Sequence, residues 1–480
     1  MPQCETLIRN VEILDGSGGD PRRGDLAISN GRIEFIGEHG GFSPEHEFDG
    51  QGKVLAPGFI DSHTHDDLYA LRSPEMLPKL SQGVTTVVVG NCGISASPTG
   101  CSRPFIAPMK LLGEPEAFRY TKFAEYADAV ATAHPAVNIA ALVGHTTLRN
   151  NQLERLDRTA TGAEISAMRE QLCEALDHGA LGLSTGLAYQ AAKAASEAEV
   201  ATLAEALAKA GGIYATHMRT EGDGVLDAIH EALRIGRHAQ SPVVVSHLKC
   251  NGVDNWGRSA ELLNTLSAEN GDFTGWDCYP YSASSTILDA SQIDERIDIV
   301  ITWSEPHPEM TGRKLADIAR EWNQPQSEAA SRLQPAGAIY HSISEDDMRA
   351  ILGHPRTMIG SDGLPTDRFP PPRLWGTFPR VLGRYAREEK LFSLSEAVRK
   401  MTSLPAKRFG LSDRGQVREG HAADLVLFDP ETVRDMASFE DPIRPAVGIE
   451  AVWVNGVLSY WGQKSTGKRA GGFLARKKHV

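Results

Sequence analysis

Residues 55–67 read LAPGFIDSHTHDD. Pro57-Gly58 breaks the chain, Phe59-Ile60 starts a short apolar run, and His63 and His65 follow with one residue between them. In extended backbone, residues i and i+2 point to the same side. Both imidazoles therefore reach one metal ion or one substrate, or else they form a bland pair of histidines at a strand end. The downstream sequence favours the first reading.

That run is the first of eight apolar, β-branched stretches. They are GFIDSHTH (58–65), VTTVVVGNC (84–92), AALVGH (140–145), ALGLSTG (180–186), GIYATH (212–217), PVVVSH (242–247), FTGWDCYPY (273–281) and TMIGSD (357–362). Helical patterns such as GAEISAMREQLCEALDHG and SEAEVATLAEALAKAGG separate most of them, and each ends in glycine, as helices often do. Alternating strand and helix implies a parallel sheet. Eight units predict an α/β fold of the (β/α)8 barrel type over residues 58–414, with a doubly wound open sheet as runner-up.

Both ends of the chain have a different texture. Residues 1–57 read as short strands with turns, including a hairpin at Asn30-Gly31, and residues 415–480 repeat that pattern around Asn455-Gly456. A small β-sandwich domain built from both termini is expected. Between residues 282 and 344 the alternation stops for longer than a simple loop allows. This predicts an inserted subdomain after the seventh strand, near the mouth and placed to cover a pocket.

Polar residues gather at the C-terminal ends of the predicted strands: His63 and His65, Cys92, His145, His217, His247, Asp277 with Tyr279, and Asp362. In a barrel those ends converge on one mouth, where active sites lie. Other histidines (His134, His178, His230, His238, His421) read as ordinary solvated or loop residues.

Composition narrows the partners. A net charge of -13 argues against nucleic acid or an anionic membrane, and no apolar run is long enough for a membrane span. The first residues show no secretory pattern, and the six cysteines are dispersed. A cytoplasmic protein with reduced thiols and a small-molecule substrate is expected.

The PGFIDSHTH stretch, the single histidines closing strands 5 and 6 and the aspartate closing strand 8 resemble the metal-dependent amidohydrolases. More narrowly, DSHTHDD, SQGVTTVVVGNCGIS, VGHTTLR, YATHMRTEG, IGSDGLP and RLWGTFPRVLGRY are similar to the D-aminoacylases, which deacylate N-acyl-D-amino acids. Many two-metal amidohydrolases bridge their metals with a carboxylated lysine at strand 4. ALGLSTG offers none, and the resemblance puts Cys92 in that role.

The resemblance further implies a tight zinc site of Cys92, His217 and His247, thiolate and imidazole being zinc donors. It implies a second, weaker site of His63 and His65 with Asp362. Asp362 is then the general base and acid, where the bland reading is a turn aspartate. Lys249, Tyr279 and Arg373 would hold the substrate's α-carboxylate. His145 would polarise the scissile carbonyl or stay structural, and Arg219 is a rim residue. Members favouring D-glutamyl substrates are expected to carry an arginine in the segment after strand 7, where this chain has Gln292, with Arg296 slightly beyond. The alternative is a ring-opening amidohydrolase of the hydantoinase or dihydropyrimidinase type.

Overall fold

The computed structural model describes residues 2–38, 41–99 and 105–476. The chain opens with β1 (Gln3–Ile13), β2 (Arg22–Ser29), β3 (Arg32–Gly37), β4 (Ser43–Asp49) and β5 (Val54–Pro57). Eight of the following strands, β6 to β13, are β6 (Phe59–Asp61), β7 (Val84–Val89), β8 (Asn138–Ala141), β9 (Val143–Gly144), β10 (Gly182–Gly186), β11 (Ile213–His217), β12 (Val243–Val245) and β13 (Thr274–Cys278). Then come β14 (Ser284–Ile287), β15 (Ile299–Ser304), β16 (Ala336–Tyr340) and β17 (Thr357–Ile359). The last four are β18 (Leu425–Phe428), β19 (Ile449–Val454), β20 (Val457–Trp461) and β21 (Lys464–Ser465).

All eight predicted apolar stretches contain a strand, the third divided by Leu142 into β8 and β9. The strands are shorter than the stretches, and most of the polar residues lie just beyond their C-terminal ends. One parallel sheet runs β17-β13-β12-β11-β10-β9 and another runs β6-β7-β8. Leu142 and Leu181 carry the hydrogen bonding between them, through Leu142 N–H to Val89 O (2.9 Å) and Leu181 N–H to Ala141 O (2.8 Å). At the other end, Ser62 N–H donates to Ile359 O (3.2 Å) and Asp362 N–H donates to His63 O (2.7 Å). VTTVVV of β7 is buried throughout, as a strand covered on both faces must be. Ile60, Val88, Ala140, Leu181, Ala215, Val244 and Met358 come from or border seven different strands and share one apolar cluster with Phe409 and Leu411.

The terminal strands form one nine-stranded sheet in the order β21-β20-β19-β18-β5-β1-β2-β3, with β4 also paired to β1. The expected sandwich is thus one continuous ladder folded over its own core: Phe48 of β4 meets Trp453 of β19 edge-on at 5.5 Å. Both predicted hairpins form. Asn30-Gly31 and Asn455-Gly456 all take positive φ, which matches the twist of paired strands.

The expected 415–480 boundary needs correction at its far end. Beyond β21 the chain leaves the sheet and runs back along the parallel strands. Gly471 N–H bonds Pro135 O, Leu474 N–H bonds Ile139 O and Arg476 N–H bonds Gly179 O. Within 282–344, β14, β16 and β15 form an antiparallel sheet in that order. The helices Leu315–Trp322 and Gln326–Leu333 close a separate small core over it, with Leu288, Ile301, Ile318 and Leu333 inside. Among the described residues no helix is long and apolar enough to cross a membrane. Cys4, Cys92, Cys173, Cys250 and Cys278 are free, and Cys101 lies outside the described residues.

Candidate metal centre and its cavity

Three of the predicted ligands sit in left-handed backbone: Cys92 (φ 52°), His247 (φ 36°) and Asp362 (φ 46°). Non-glycine residues seldom adopt this conformation, at a cost of about 1–3 kcal/mol each, and such strain gathers at functional sites. Local contacts hold it. Asn91-Cys92 is flanked by Gly90 and Gly93, and a Cβ on Gly90 would lie 2.1 Å from Leu142 O. His247 N–H donates to Asp277 Oδ1 (2.9 Å). The effect is to turn each side chain sharply from its strand end into one space.

There the ligand atoms converge. Cys92 Sγ lies 3.2 Å from His63 Nε2 and 3.4 Å from His247 Nε2. Asp362 Oδ1 lies 3.3 Å from His65 Nε2 and 3.6 Å from His63 Nε2. Two groups result, Cys92–His217–His247 and His63–His65–Cys92–Asp362, each with ligand atoms within 4.8 Å of one another and sharing the thiol. The imidazoles are oriented from behind: His247 Nδ1 lies 2.9 Å from Glu221 Oε1, and His63 Nδ1 lies 3.4 Å from Asp277 Oδ1. A carboxylate behind His247 fixes that ring and leaves Nε2 for a metal, whereas His63 Nδ1 makes no hydrogen bond. The buried Nδ1 atoms of His63, His65 and His217 all lack a hydrogen-bond partner.

Electrostatics test the fit to a cation. Burial opposes ionisation of Cys92, but the charges of His63 and His247 hold its thiol well below the ordinary range. Burial likewise opposes protonation of His65, yet hydrogen bonds to Asp362 and Cys92 lift its pKa to about 9. Burial also opposes ionisation of Asp362, and Arg373 and His65 hold it well below the usual carboxylate value. The centre is a buried anionic pair that draws positive charge onto its histidines, an environment matched to a divalent ion with thiolate and imidazole ligands.

Arg373 is fully buried behind this pair. Its Nε and Nη2 donate to Asp362 O (2.9 Å) and Oδ2 (2.8 Å), and its guanidinium stacks 4.6 Å from the Tyr279 ring centre. Arg373 Nη1 and the Tyr279 hydroxyl are buried without partners. A cavity of about 1300 Å³ opens from the centre, lined by His65, His217, His247, Lys249, Tyr279 and Asp362, and walled by residues 284–289.

The sequence profile of the Amidohydrolase family matches residues 46–277 and 311–460. The chain belongs to the amidohydrolase family, in its D-aminoacylase branch. Three relatives from Alcaligenes xylosoxydans xylosoxydans cover nearly all of it. A D-aminoacylase is 48% identical, spanning 98% of both chains. An N-acyl-D-aspartate deacylase is 47% identical over 98% of this chain and 95% of its own. An N-acyl-D-glutamate deacylase is 44% identical over 99% and 97%. Among solved structures, a D-aminoacylase described by its binuclear metal centre superposes with a TM-score of 0.95 at 46% identity, over 99% of this chain and 100% of that one. An N-acyl-D-glutamate deacylase from Bordetella bronchiseptica, complexed with zinc and a phosphonate inhibitor that mimics the tetrahedral intermediate, gives 0.95 at 45% identity with the same coverage. A D-hydantoinase shares the fold at 17% identity, with a TM-score of 0.62 over 99% of both chains.

In this amidohydrolase the six predicted ligands come together, and Lys249, Tyr279 and Arg373 adjoin them. His145 does not line the cavity. Its Nε2 lies 3.1 Å from Glu199 Oε1, in a buried group that Arg149 completes. A strand-end position does not say which way a side chain turns, and His145 opens the helix His145–Gln152 rather than ending in the mouth. Arg219 reaches the cavity rim but is engaged by Glu231. Sequence reasoning passed over Glu221, which bonds Lys249 Nζ (2.6 Å) as well as backing His247. Its signal was an acidic residue four positions after His217 in THMRTEG. Tyr189, whose ring packs 5.0 Å from His217, carried no signal.

Proposed function

We propose that this amidohydrolase cleaves the acyl-amide bond of N-acyl-D-amino acids, giving a carboxylate and a free D-amino acid. The observation that carries the reading is Asp362: an ionised carboxylate at the edge of a thiolate–histidine centre, facing a cavity lined by Tyr279 and Lys249, with Arg373 buried behind it. Cys92, His217 and His247 would hold one zinc ion, with His63, His65 and Asp362 as a second, weaker site. Zinc there supplies a Lewis acid for the amide carbonyl and acidifies water. Asp362 accepts the attacking water's proton and delivers it to the departing nitrogen. Lys249 and Tyr279 would fix the α-carboxylate, with Arg373 adding Nη1, since its Nε and Nη2 are held by Asp362. Tyr279 serves as a donor because burial pushes its pKa well above the ordinary phenol value.

Side-chain choice falls to the cavity wall. Arg296 is engaged by both Asp254 and Asp294, and Gln292 lines the cavity. Arg296 lines the cavity as well, so the test below covers neutral, D-aspartyl and D-glutamyl side chains.

The same reading takes the eight parallel strand units as one (β/α)8 barrel over 58–414. The bonds between Ser62 and Ile359 support closure, as does the apolar cluster drawn from seven strands. Residues 1–57 and 415–465 would be the terminal β domain and 282–344 an inserted subdomain. Free cysteines favour a cytoplasmic location.

The test supplies N-acetyl-D-Met, N-acetyl-D-Glu, N-acetyl-D-Asp, their L forms and hydantoin to zinc-loaded enzyme. Release of free D-amino acids alone supports the reading. Activity only on hydantoin, or on none of them, sinks it.

A further inference from the structure

We propose that Lys79 is a positioning residue: its buried ammonium ties the His63/His65 segment to Asp362 and so sets one half of the metal centre. The inference rests on the metal reading given above. Lys79 lies on the short helix Leu77–Leu80 and is wholly buried, yet it meets neither the cavity nor any predicted ligand directly. Its Nζ donates to Asp61 Oδ2 (2.7 Å), Ser361 Oγ (2.8 Å) and Thr64 Oγ1 (2.9 Å), and lies 3.2 Å from Asp66 Oδ2. Three of these partners interleave with His63 and His65, and the fourth is the residue before Asp362. Asp61 closes the network, since Oδ1 accepts from Ser361 N–H (2.8 Å) and His63 N–H (3.3 Å) and Oδ2 accepts from Ser361 Oγ–H (2.5 Å).

The location gives the network its task. β6 and β17 have no strand ladder between them among the described residues, only the isolated bridge of Thr64 with Gly363 and a few backbone bonds. The seam that carries His63, His65 and Asp362 is crossed by three backbone bonds, from Ser62 to Ile359, Asp362 to His63 and His65 to Gly363, and the Lys79 network supplies the side-chain part of its contacts. A buried ammonium is costly unless fully paired. Here the paired groups alternate along the chain with the ligands, so a shift of Lys79 shifts both sides of that half-site.

Two variants test this. Ser361→Ala removes the hydroxyl that accepts from Lys79 and donates to Asp61, and keeps the ammonium, both carboxylates and the backbone bond from residue 361 to Asp61. Lys79→Met with Asp66→Asn removes one charge of each sign. Each is assayed on N-acetyl-D-Met, titrated with Zn2+ and Co2+ against a chelator, and melted. We expect kcat to fall about tenfold or more with KM within about threefold, the pattern of a lost transition-state arrangement. Affinity for the second metal should fall about 10- to 100-fold, while the Cys92–His217–His247 metal and its cobalt–thiolate band persist. Folded variants with unchanged kcat and second-metal affinity overturn the proposal, and so does loss of fold in both, which would make Lys79 structural only. If the wild type hydrolyses no N-acyl-D-amino acid, the proposed function fails, and the metal titrations still judge Lys79.

Discussion

The two halves of the candidate metal centre are supported by opposite means. His217 and His247 end β11 or follow β12, side by side in a continuous parallel ladder, and Glu221 backs His247 at the cavity itself. His63, His65 and Asp362 straddle a seam with little ladder, held from below by an ammonium that solvent never meets. One half is a rigid sheet edge trimmed by a carboxylate, and the other is a joint locked by a buried charge network. Metal retention and base placement can thus be separated by mutation.

Removing what the halves share has the largest effect. Cys92→Ser is expected to lose both metals and bring activity to background, checked by metal analysis and turnover of N-acetyl-D-Met. Retention of one equivalent of zinc would break the shared-thiol picture. Asp362→Asn comes next: kcat should fall about 10²- to 10⁴-fold, the usual worth of a positioned general base, with zinc still bound at Cys92, His217 and His247. Glu221→Gln should lower affinity for the tight zinc by about 10- to 100-fold and leave the second site unchanged, measured by chelator competition. Equal loss at both sites would show that the halves are not independent.

The smallest effect on activity belongs to Glu199, remote from both halves. Burial works against its ionisation, but His145 and Arg149 bring its pKa to about 2 from an ordinary 4.5. A carboxylate depressed in the folded state contributes stability above pH 4.5, and that contribution is lost as pH falls towards 2. Glu199→Gln should therefore melt below the wild type at neutral pH, by a margin that shrinks through that window, with kcat little changed. A margin independent of pH would mean the ion pairs contribute nothing.

The parallel strands are legible in the sequence because strands covered on both faces read as unbroken apolar runs. The candidate ligands are legible because they sit at or just beyond the ends of those runs. Direction is not legible: His145 stands at a strand end like His217, yet turns towards Glu199. Nor are the supports. Lys79 in LPKL gives no sign that its ammonium meets Asp61 and Ser361, since that contact joins positions 282 residues apart. Glu221 differs in being four residues from a ligand, within reach of local pattern. The terminal sheet shows the same limit: its hairpins follow from Asn-Gly pairs, whereas its fusion into one ladder depends on β5 meeting β18.

That last pairing has a consequence for synthesis. β5 lies between β1 and β18, and Arg32 Nη1 bonds Gly420 O across 388 positions of sequence. As the chain leaves the ribosome, the first strands exist for almost the whole of translation beside an edge that only the last strands can cover. Exposed strand edges recruit other chains, and contacts this distant form late. A chain that ends before residues 425–461 therefore leaves the outer edge of β5 without its partner strand.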